Sequence, residues 1–178
     1  MSEAPPEAAP APANGPEDGP APAEAFAGLR ARARSVQLAT VDASGAPLAS
    51  YAPFAFDADG ALLIFVSELA RHTRDLQAVP RCGAMLIDDE AASHEIFARL
   101  RASYECRVET VARDDPAFEA ELARLRERQG KMIELLRTLR DFTLFRLVPE
   151  SGLFVMGFGR AYRLGGPALD RFEHVRAA

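Results

Sequence analysis

Residues 37–76, QLATVDASGAPLASYAPFAFDADGALLIFVSELARHTRDL, contain three short apolar runs separated by turn-forming residues. The runs cover residues 37–41, 48–56 and 62–66, and the segments between them are rich in Asp, Gly, Ser and Pro. Apolar runs of this length between clusters of turn residues are typical of β-strands joined by tight turns. The stretch therefore predicts an antiparallel meander of three strands.

The third of these strands leads through a serine into a basic helical turn, and together they supply the candidate cofactor-binding residues Ser67, Arg71, His72, Thr73 and Arg74. The backbone N–H groups at the start of a helix attract an anion, and arginine side chains beside them add charge and hydrogen-bond donors. This turn is therefore a candidate site for a phosphate or another acidic group.

The remainder of the chain adds more strands and an amphipathic helical pair. Residues 82–87 and 100–111 are typical of strands, and residues 142–147 and 153–158 predict a closing hairpin around a turn at residues 149–152. Apolar residues at spacings of three and four predict the helical pair, with Gly130 as its break: Phe118, Leu122, Leu125, Met132, Leu136 and Leu139. We expect a mainly β protein, a six- or seven-stranded antiparallel barrel with flanking helices, one of them over residues 23–34.

Composition divides the 178 residues into two parts. Residues 1–24 are dominated by Ala and Pro, carry five acidic residues and no Lys or Arg, and predict a disordered tail. Residues 25–178 form one domain in this interpretation, because a chain that is 48% hydrophobic is large enough for one good core. Cys82 and Cys106 fall in predicted strands and are expected to be buried free thiols of a reducing compartment.

Charge and hydropathy exclude two classes of partner. Subtracting the five acidic residues of the tail from the 26 Asp and Glu leaves 21, which equals the 21 Lys and Arg. A formally neutral domain argues against a nucleic-acid surface. The sequence has neither a secretory signal pattern nor an apolar run long enough to span a membrane, so we expect a cytoplasmic protein.

The sequence resembles the FMN-binding split-barrel proteins of the pyridoxamine 5′-phosphate oxidase type, and within them the haem-utilisation branch of the HugZ/HutZ type. The segments that carry the resemblance are Leu38–Val41, Ser50–Phe54, Ala70–Leu76, Met85–Glu90, Ile96–Arg99, Asp141–Phe145 and Gly157–Tyr162. The resemblance implies a split β-barrel and a homodimer that binds its cofactor between the subunits. It also implies that Gly157–Tyr162 and Ser50–Phe54 lie near the dimer seam.

The resemblance leaves the cofactor open between FMN and b-type haem. In flavin-binding relatives, the equivalent basic turn holds the FMN phosphate, with an arginine and a lysine as its usual anchors. His72 stands where that lysine would be, and a neutral imidazole anchors phosphate less well than an ammonium group does. The haem-utilisation branch shares the Ala-Arg-His pattern found here.

In the haem-utilisation branch, the resemblance implies an axial histidine in a C-terminal Gly-His tail and an aspartate that assists it. Asp141 matches that aspartate, whereas residues 169–175 match only the segment before the tail. His174 is the candidate iron ligand and, with Asp141, a candidate catalytic residue. Either His174 takes over as the ligand, or another residue does, or the chain no longer degrades haem. We expect weakened haem binding and slow or absent turnover.

Three functions therefore stay open from the sequence. The first is a haem-binding protein of iron acquisition, a class that includes the oxygenases of this branch. The second is an FMN-dependent oxidoreductase, and the third is a ligand-binding or haem-handling protein without turnover.

Overall fold

The computed structural model describes residues 20–176 and arranges their eight strands in one antiparallel sheet. The strands are β1 (Ser35–Val41), β2 (Pro47–Phe56), β3 (Leu62–Ser67), β4 (Arg81–Ile87), β5 (Arg101–Val111), β6 (Phe142–Val155), β7 (Ala161–Gly165) and β8 (Arg171–His174). The helices are α1 (Pro22–Arg32), α2 (Arg71–Ala78), α3 (Phe118–Gln129) and α4 (Met132–Arg137), with a 3₁₀ turn at Ile96–Ala98.

The sheet closes into a barrel because β3 pairs with β6 as well as with β2. The β3–β6 register runs from Leu62 opposite Leu147 to Ser67 opposite Phe142. Strands β1 to β6 therefore form a closed six-stranded barrel, and β7 and β8 extend the sheet beyond it. The predicted mainly β split barrel with flanking helices is confirmed, as is its three-stranded meander.

The barrel interior is filled by alternate residues of the six strands and by side chains from the helices. On β1, Val36 and Leu38 point inward and are buried, while Gln37 between them is exposed. Helix α1 adds Phe26, whose ring packs edge-on against Phe154 at 5.3 Å between centroids. Burial of these apolar side chains is the main stabilising contribution to the barrel.

The two cysteines face each other across β4 and β5. Cys82 lies opposite Cys106 in the register, and both are buried free thiols, as predicted. The hydrogen-bond interaction of the Cys106 thiol with Cys82, reinforced by burial, raises the pKa of Cys106 above its usual range. We assign them to core packing, in which free cysteine behaves as a small apolar residue.

One outer face of the barrel, which we call the covered face, is buried beneath α3 and α4. The apolar residues that meet there come from strands and helices: Ala55, Leu63, Phe65, Val111, Phe118, Leu122, Leu125, Ile133 and Leu144. Gly130 separates the two helices and has a φ of +87°, a left-handed conformation that glycine adopts without a Cβ clash. The predicted helical pair and its break are therefore confirmed. The predicted packing of Met132 and Leu139 is wrong, because these side chains are 59% and 41% exposed and Ile133 is buried instead.

The opposite outer face, which we call the bare face, has no described helix over it. The register places five outward-pointing residues in one row across β2, β1, β4, β5 and β6: Tyr51, Gln37, Met85, Ser103 and Leu153. Tyr51 is 69% exposed and Leu153 is 40% exposed. The next row contains the small residues Ala49, Ala39 and Gly83. This face is therefore partly apolar, with small side chains beside the row.

The closing hairpin predicted around residues 149–152 is wrong. Strand β6 runs without a turn through this segment, and the hairpin lies instead between β6 and β7, across residues 156–160. Cys106 pairs with Pro149 and Glu105 with Ser151, so one extra residue is accommodated as a β-bulge. Proline and turn-forming residues suit a bulge as well as a turn, because proline has no N–H to give to the ladder.

The ends of the described region differ in part from expectation. Helix α1 starts at Pro22, so the last residues of the predicted tail, 22–24, are helical, while residues 1–19 lie outside the described residues. Near the other end, β8 pairs with β7 and gives residues 171–174 a fixed place in the sheet. In the part of the chain that the structure describes, no helix is both long and apolar enough to cross a membrane.

Candidate functional site

The end of β3 and the start of β6 bring Ser67 and Asp141 into direct contact. Ser67 lies opposite Phe142 in the register, so the residue before Phe142 falls beside it. The Ser67 hydroxyl donates to Asp141 Oδ2 at 2.6 Å and accepts from the Leu69 N–H at 3.1 Å. The Glu68 N–H donates to the Asp141 carbonyl oxygen at 2.8 Å. Two predicted site residues, assigned to different roles, are therefore hydrogen-bond partners.

This contact changes what Ser67 can bind. The predicted role of Ser67 was to help hold an acidic group at the start of α2. Its hydroxyl proton is instead directed at the carboxylate of Asp141. A second anion placed against the same hydroxyl would meet a like charge only a few ångströms away, which costs free energy. The Ser67 hydroxyl is therefore a poor phosphate anchor in this arrangement.

Arg71 is engaged by its own chain. Its guanidinium donates to Asp42 Oδ2 at 3.2 Å and to the Ala46 carbonyl at 3.1 Å. Its Nε lies 3.7 Å from Asp75 Oδ2, one helical turn further along α2. These contacts tie the start of α2 to the β1–β2 turn, so much of the donor capacity of Arg71 serves the fold.

His72 points into the protein. Its Nδ1 lies 3.0 Å from the Ser50 hydroxyl on β2, and its buried Nε2 has no partner among the described residues. Burial lowers the pKa of His72, and the nearby charge of Asp75 only partly opposes this. A neutral, buried imidazole offers no positive charge to an exterior acidic group.

The last two residues of the basic turn differ in exposure. Thr73 is fully buried, and its hydroxyl donates to the Ser67 carbonyl at 2.6 Å, which fixes the turn between β3 and α2. Arg74 is exposed and has no hydrogen-bond or ion-pair partner among residues 20–176. Arg74 is therefore the cation of this turn with the most capacity to bind a ligand.

His174 ends β8, on the far side of the sheet extension. Its Nε2 lies 2.7 Å from the Gly159 carbonyl, and its ring packs edge-on against Tyr162 at 5.3 Å between centroids. Since a carbonyl oxygen only accepts, Nε2 carries the proton of this hydrogen bond. Nδ1 is the ring nitrogen left for a metal, and a backbone carbonyl orients the ring, as is common for histidines that bind metals.

One subunit does not bring Asp141 and His174 together. Asp141 precedes the first residue of β6, whereas His174 pairs with Tyr162 of β7, which pairs with Phe154 near the last residue of β6. Strand β6 is 14 residues long. At about 3.3 Å per residue, its ends lie on the order of 40 Å apart if the strand is straight, and the bulge bends it. The two candidate catalytic residues are therefore remote within one chain.

Sequence analysis missed three residues that organise this region. Asp42 binds Arg71, Ser50 binds His72, and Asp75 accepts a hydrogen bond from the buried Thr40 hydroxyl at 2.8 Å. Only Asp75 had a local signal, because it lies four residues after Arg71 on the same helix. The other contacts depend on how the strands pair.

Comparisons with known proteins agree with the architecture. The pyridoxamine 5′-phosphate oxidase family model matches residues 22–156. The chain is 42% identical over 146 residues to the haem oxygenase HutZ of Vibrio cholerae, covering 82% of each protein. It is 29% identical over 133 residues to the chloroplastic non-canonical haem oxygenase HOZ of Arabidopsis thaliana, of which it covers 39%.

Solved structures show the same similarity. The crystal structure of HutZ, described as the haem storage protein of Vibrio cholerae, superposes with a TM-score of 0.70 at 40% identity, covering 75% of this chain and 94% of that one. The structure of ChuZ from Campylobacter jejuni gives a TM-score of 0.76 at 27% identity, covering 85% and 61% respectively.

The family match and the HutZ similarity both cover most of the chain. This chain therefore belongs to the pyridoxamine 5′-phosphate oxidase-like split-barrel family, in its haem-utilisation branch.

Proposed function

We propose that this protein is a cytoplasmic homodimer of haem utilisation that binds b-type haem at the seam between its two subunits. The observation that carries the proposal is the bare face, a partly apolar outer face with no described helix over it, in a chain whose two chemically suitable residues lie toward opposite ends of β6. A second copy that covers this face also provides a way to place His174 of one subunit near the partner subunit's Asp141. The buried free thiols Cys82 and Cys106 suit a reducing compartment.

The residues present suit haem in three respects. Exposed apolar side chains, including Tyr51 and Leu153 on the bare face and Leu69 beside Ser67, can contact a porphyrin. Arg74 has donor capacity for a propionate group, and a guanidinium pairs well with a carboxylate. His174 has its Nε2–H oriented by the Gly159 carbonyl, which leaves Nδ1 as the ring nitrogen for a metal.

Each residue then has a defined part in the site. His174 would hold the haem iron through a ring nitrogen, with the ring oriented by the Gly159 carbonyl. Asp141 accepts hydrogen bonds at the seam through the carboxylate oxygen that Ser67 does not use. Covering of the bare face by the second subunit excludes water, which strengthens these polar contacts. Bound haem would supply the redox-active iron and the ring on which oxidative breakdown acts.

The alternative cofactor, FMN, has less support from the same turn. The Ser67 hydroxyl is directed at a carboxylate, Arg71 is paired with Asp42, and His72 is buried. A flavin phosphate at this position would depend mainly on Arg74. Binding of haem instead of FMN also accords with the curated relatives, whose names specify haem oxygenases.

Titration of the purified protein with haemin and with FMN, followed by absorption, tests the proposal. We expect a Soret band with haemin in wild type, and its loss or a marked shift in His174→Ala. His94→Ala is the matched control, because His94 is an exposed histidine away from β8. Added reductant and oxygen then show whether the bound haem is degraded. A protein that ignores haemin but copurifies with FMN would refute the haem assignment.

Replacement of Arg74 tests the proposed contact with an acidic group. We expect Arg74→Ala to weaken haemin binding by about tenfold, since a hydrogen bond to a charged group contributes roughly 1.5 to 3 kcal/mol. Arg124→Ala is a suitable control, because Arg124 lies on α3 over the covered face and its only ion pair is with its helical neighbour Glu121 among the described residues. Equal affinities in wild type and Arg74→Ala would remove Arg74 from the site.

A further inference from the structure

Ser67 lies at the centre of a hydrogen-bond chain that ends on Asp141. The Leu69 N–H donates to the Ser67 hydroxyl, and that hydroxyl donates to Asp141 Oδ2. Because the Leu69 N–H occupies an acceptor position of the serine oxygen, the serine proton is directed away from it, towards the aspartate. The O···O distance of 2.6 Å is typical of a hydrogen bond from a hydroxyl to a carboxylate.

The backbone around Ser67 is fixed from both sides. Its carbonyl accepts the hydroxyl of the fully buried Thr73 at 2.6 Å and the N–H of Ala70 at 3.0 Å. The Glu68 N–H holds the Asp141 backbone at 2.8 Å. Both the donor and the acceptor of the Ser67–Asp141 contact are therefore held in place before any ligand binds.

The two oxygens of the Asp141 carboxylate differ as a result. Oδ2 accepts the serine proton, whereas Oδ1 accepts no hydrogen bond from any residue that the structure describes. An ionised carboxylate only accepts, so Oδ1 can serve a donor from outside the subunit, such as an imidazole N–H or a bound water. Asp141 is also only half-buried, so such a donor can reach it.

We propose that Ser67 is a positioning residue for Asp141, rather than a cofactor-binding residue. Its hydroxyl holds one carboxylate oxygen so that the other faces the seam in a single orientation. This role rests on the proposed function only for the identity of the ligand that Asp141 serves, because the Ser67–Asp141 contact exists in the chain itself.

The first test uses the haem-free protein. In Ser67→Ala the Asp141 carboxylate loses its intramolecular donor, so its side-chain ¹³C resonance should shift from the wild-type position. Ser67→Thr retains a hydroxyl and should restore it. Ser93→Ala is the matched control, because its hydroxyl donates to the Asp89 carbonyl in the loop after β4, away from β3 and β6. An unchanged Asp141 resonance in a folded Ser67→Ala protein would overturn the positioning role, whether or not the protein binds haem.

The second test uses haemin. Changes in residues that support metal ligands typically cost about 10- to 100-fold in affinity or activity, and Ser67 is one hydrogen bond further from the ligand than Asp141. We therefore expect Ser67→Ala to reproduce part of the change in the haem absorption spectrum seen in Asp141→Asn, with an affinity loss of about tenfold or less. Ser67→Thr and Ser93→Ala should keep the wild-type spectrum.

The outcomes separate this inference from the function it rests on. A spectrum that changes in Asp141→Asn but not in Ser67→Ala would refute the positioning role and leave haem binding intact. Failure of the wild type to bind haemin would refute the proposed function, and the ¹³C measurement would still decide whether Ser67 orients Asp141.

Discussion

The covered and bare faces belong to the same barrel but differ in how far their outward side chains are buried. On the covered face, Leu63 and Phe65 of β3 are buried beneath α3, whereas on the bare face Tyr51 is 69% exposed. The strands of both faces enclose the same core, so the barrel interior does not explain why the exposure of the two outer faces differs. The chain provides a helical pair for one face and no described helix for the other, and we place the proposed dimer seam at this bare face.

The largest effect is expected from a cavity under the covered face. Leu125 of α3 is 1% exposed, so Leu125→Ala should lower the free energy of unfolding by about 2 to 5 kcal/mol. Leu135→Ala on α4, where the side chain is 60% exposed, is the control and should change stability by less than about 0.5 kcal/mol. Urea unfolding measures both variants. Equal losses would mean that another surface contacts Leu135.

The bare face should respond through association and not through folding. Ala39 points outward in the middle of this face, where its Cβ lies only 3.3 Å from the position of a Cβ added to Gly83. Ala39→Arg places a charge in the centre of the seam, so we expect the dimer to dissociate and haemin binding to fall with it. Sedimentation velocity measures the dimer, and circular dichroism checks the fold.

A monomeric wild-type protein, across a wide concentration range, would contradict the role assigned to the bare face. Glu127→Arg is the matched control for added positive charge, because Glu127 is an exposed residue of α3 on the other side of the barrel. This variant should remain dimeric and bind haemin as wild type does.

Local sequence signals predicted the covered face better than the site. Spacings of three and four identified α3 and α4, and Gly130 marked their break, because these features depend on neighbours within two helical turns. The bulge at Pro149 was missed, since proline and glycine occur in bulges as well as turns. Asp141 and Ser67 were each predicted as site residues. Their contact depends on the register of β3 with β6, which sequence periodicity does not specify.

His72 is buried, so its protonation should lower the stability of the barrel without changing a residue of either face. Burial lowers the pKa of His72, so the unfolded chain binds a proton at a higher pH than the folded protein does. Stability from this histidine is then fully present above its unfolded pKa of about 6.5 and is lost as the pH falls below it.

The measurement compares unfolding free energies at neutral and mildly acidic pH. Wild type should lose stability more steeply below about pH 6.5 than His72→Gln, which cannot titrate. His94→Gln removes an exposed histidine and serves as the control, with a slope like that of wild type. Identical slopes for wild type and His72→Gln would show that His72 takes up a proton equally in both states.

The smallest effect is expected from the chain before the described residues, and it tests whether that segment covers the bare face. Residues 1–19 are rich in Ala and Pro with acidic residues, so they offer little apolar surface for packing. Their deletion should change the free energy of unfolding by less than about 0.5 kcal/mol and leave the dimer intact. Deletion of residues 1–24 should cost more, because it removes the first turn of α1 and the Pro20 carbonyl that accepts from Arg160 at 3.1 Å. Calorimetry and sedimentation of the two truncations make the comparison. A weaker or stronger dimer after the shorter deletion would contradict this prediction, because it would mean that residues 1–19 influence the bare face.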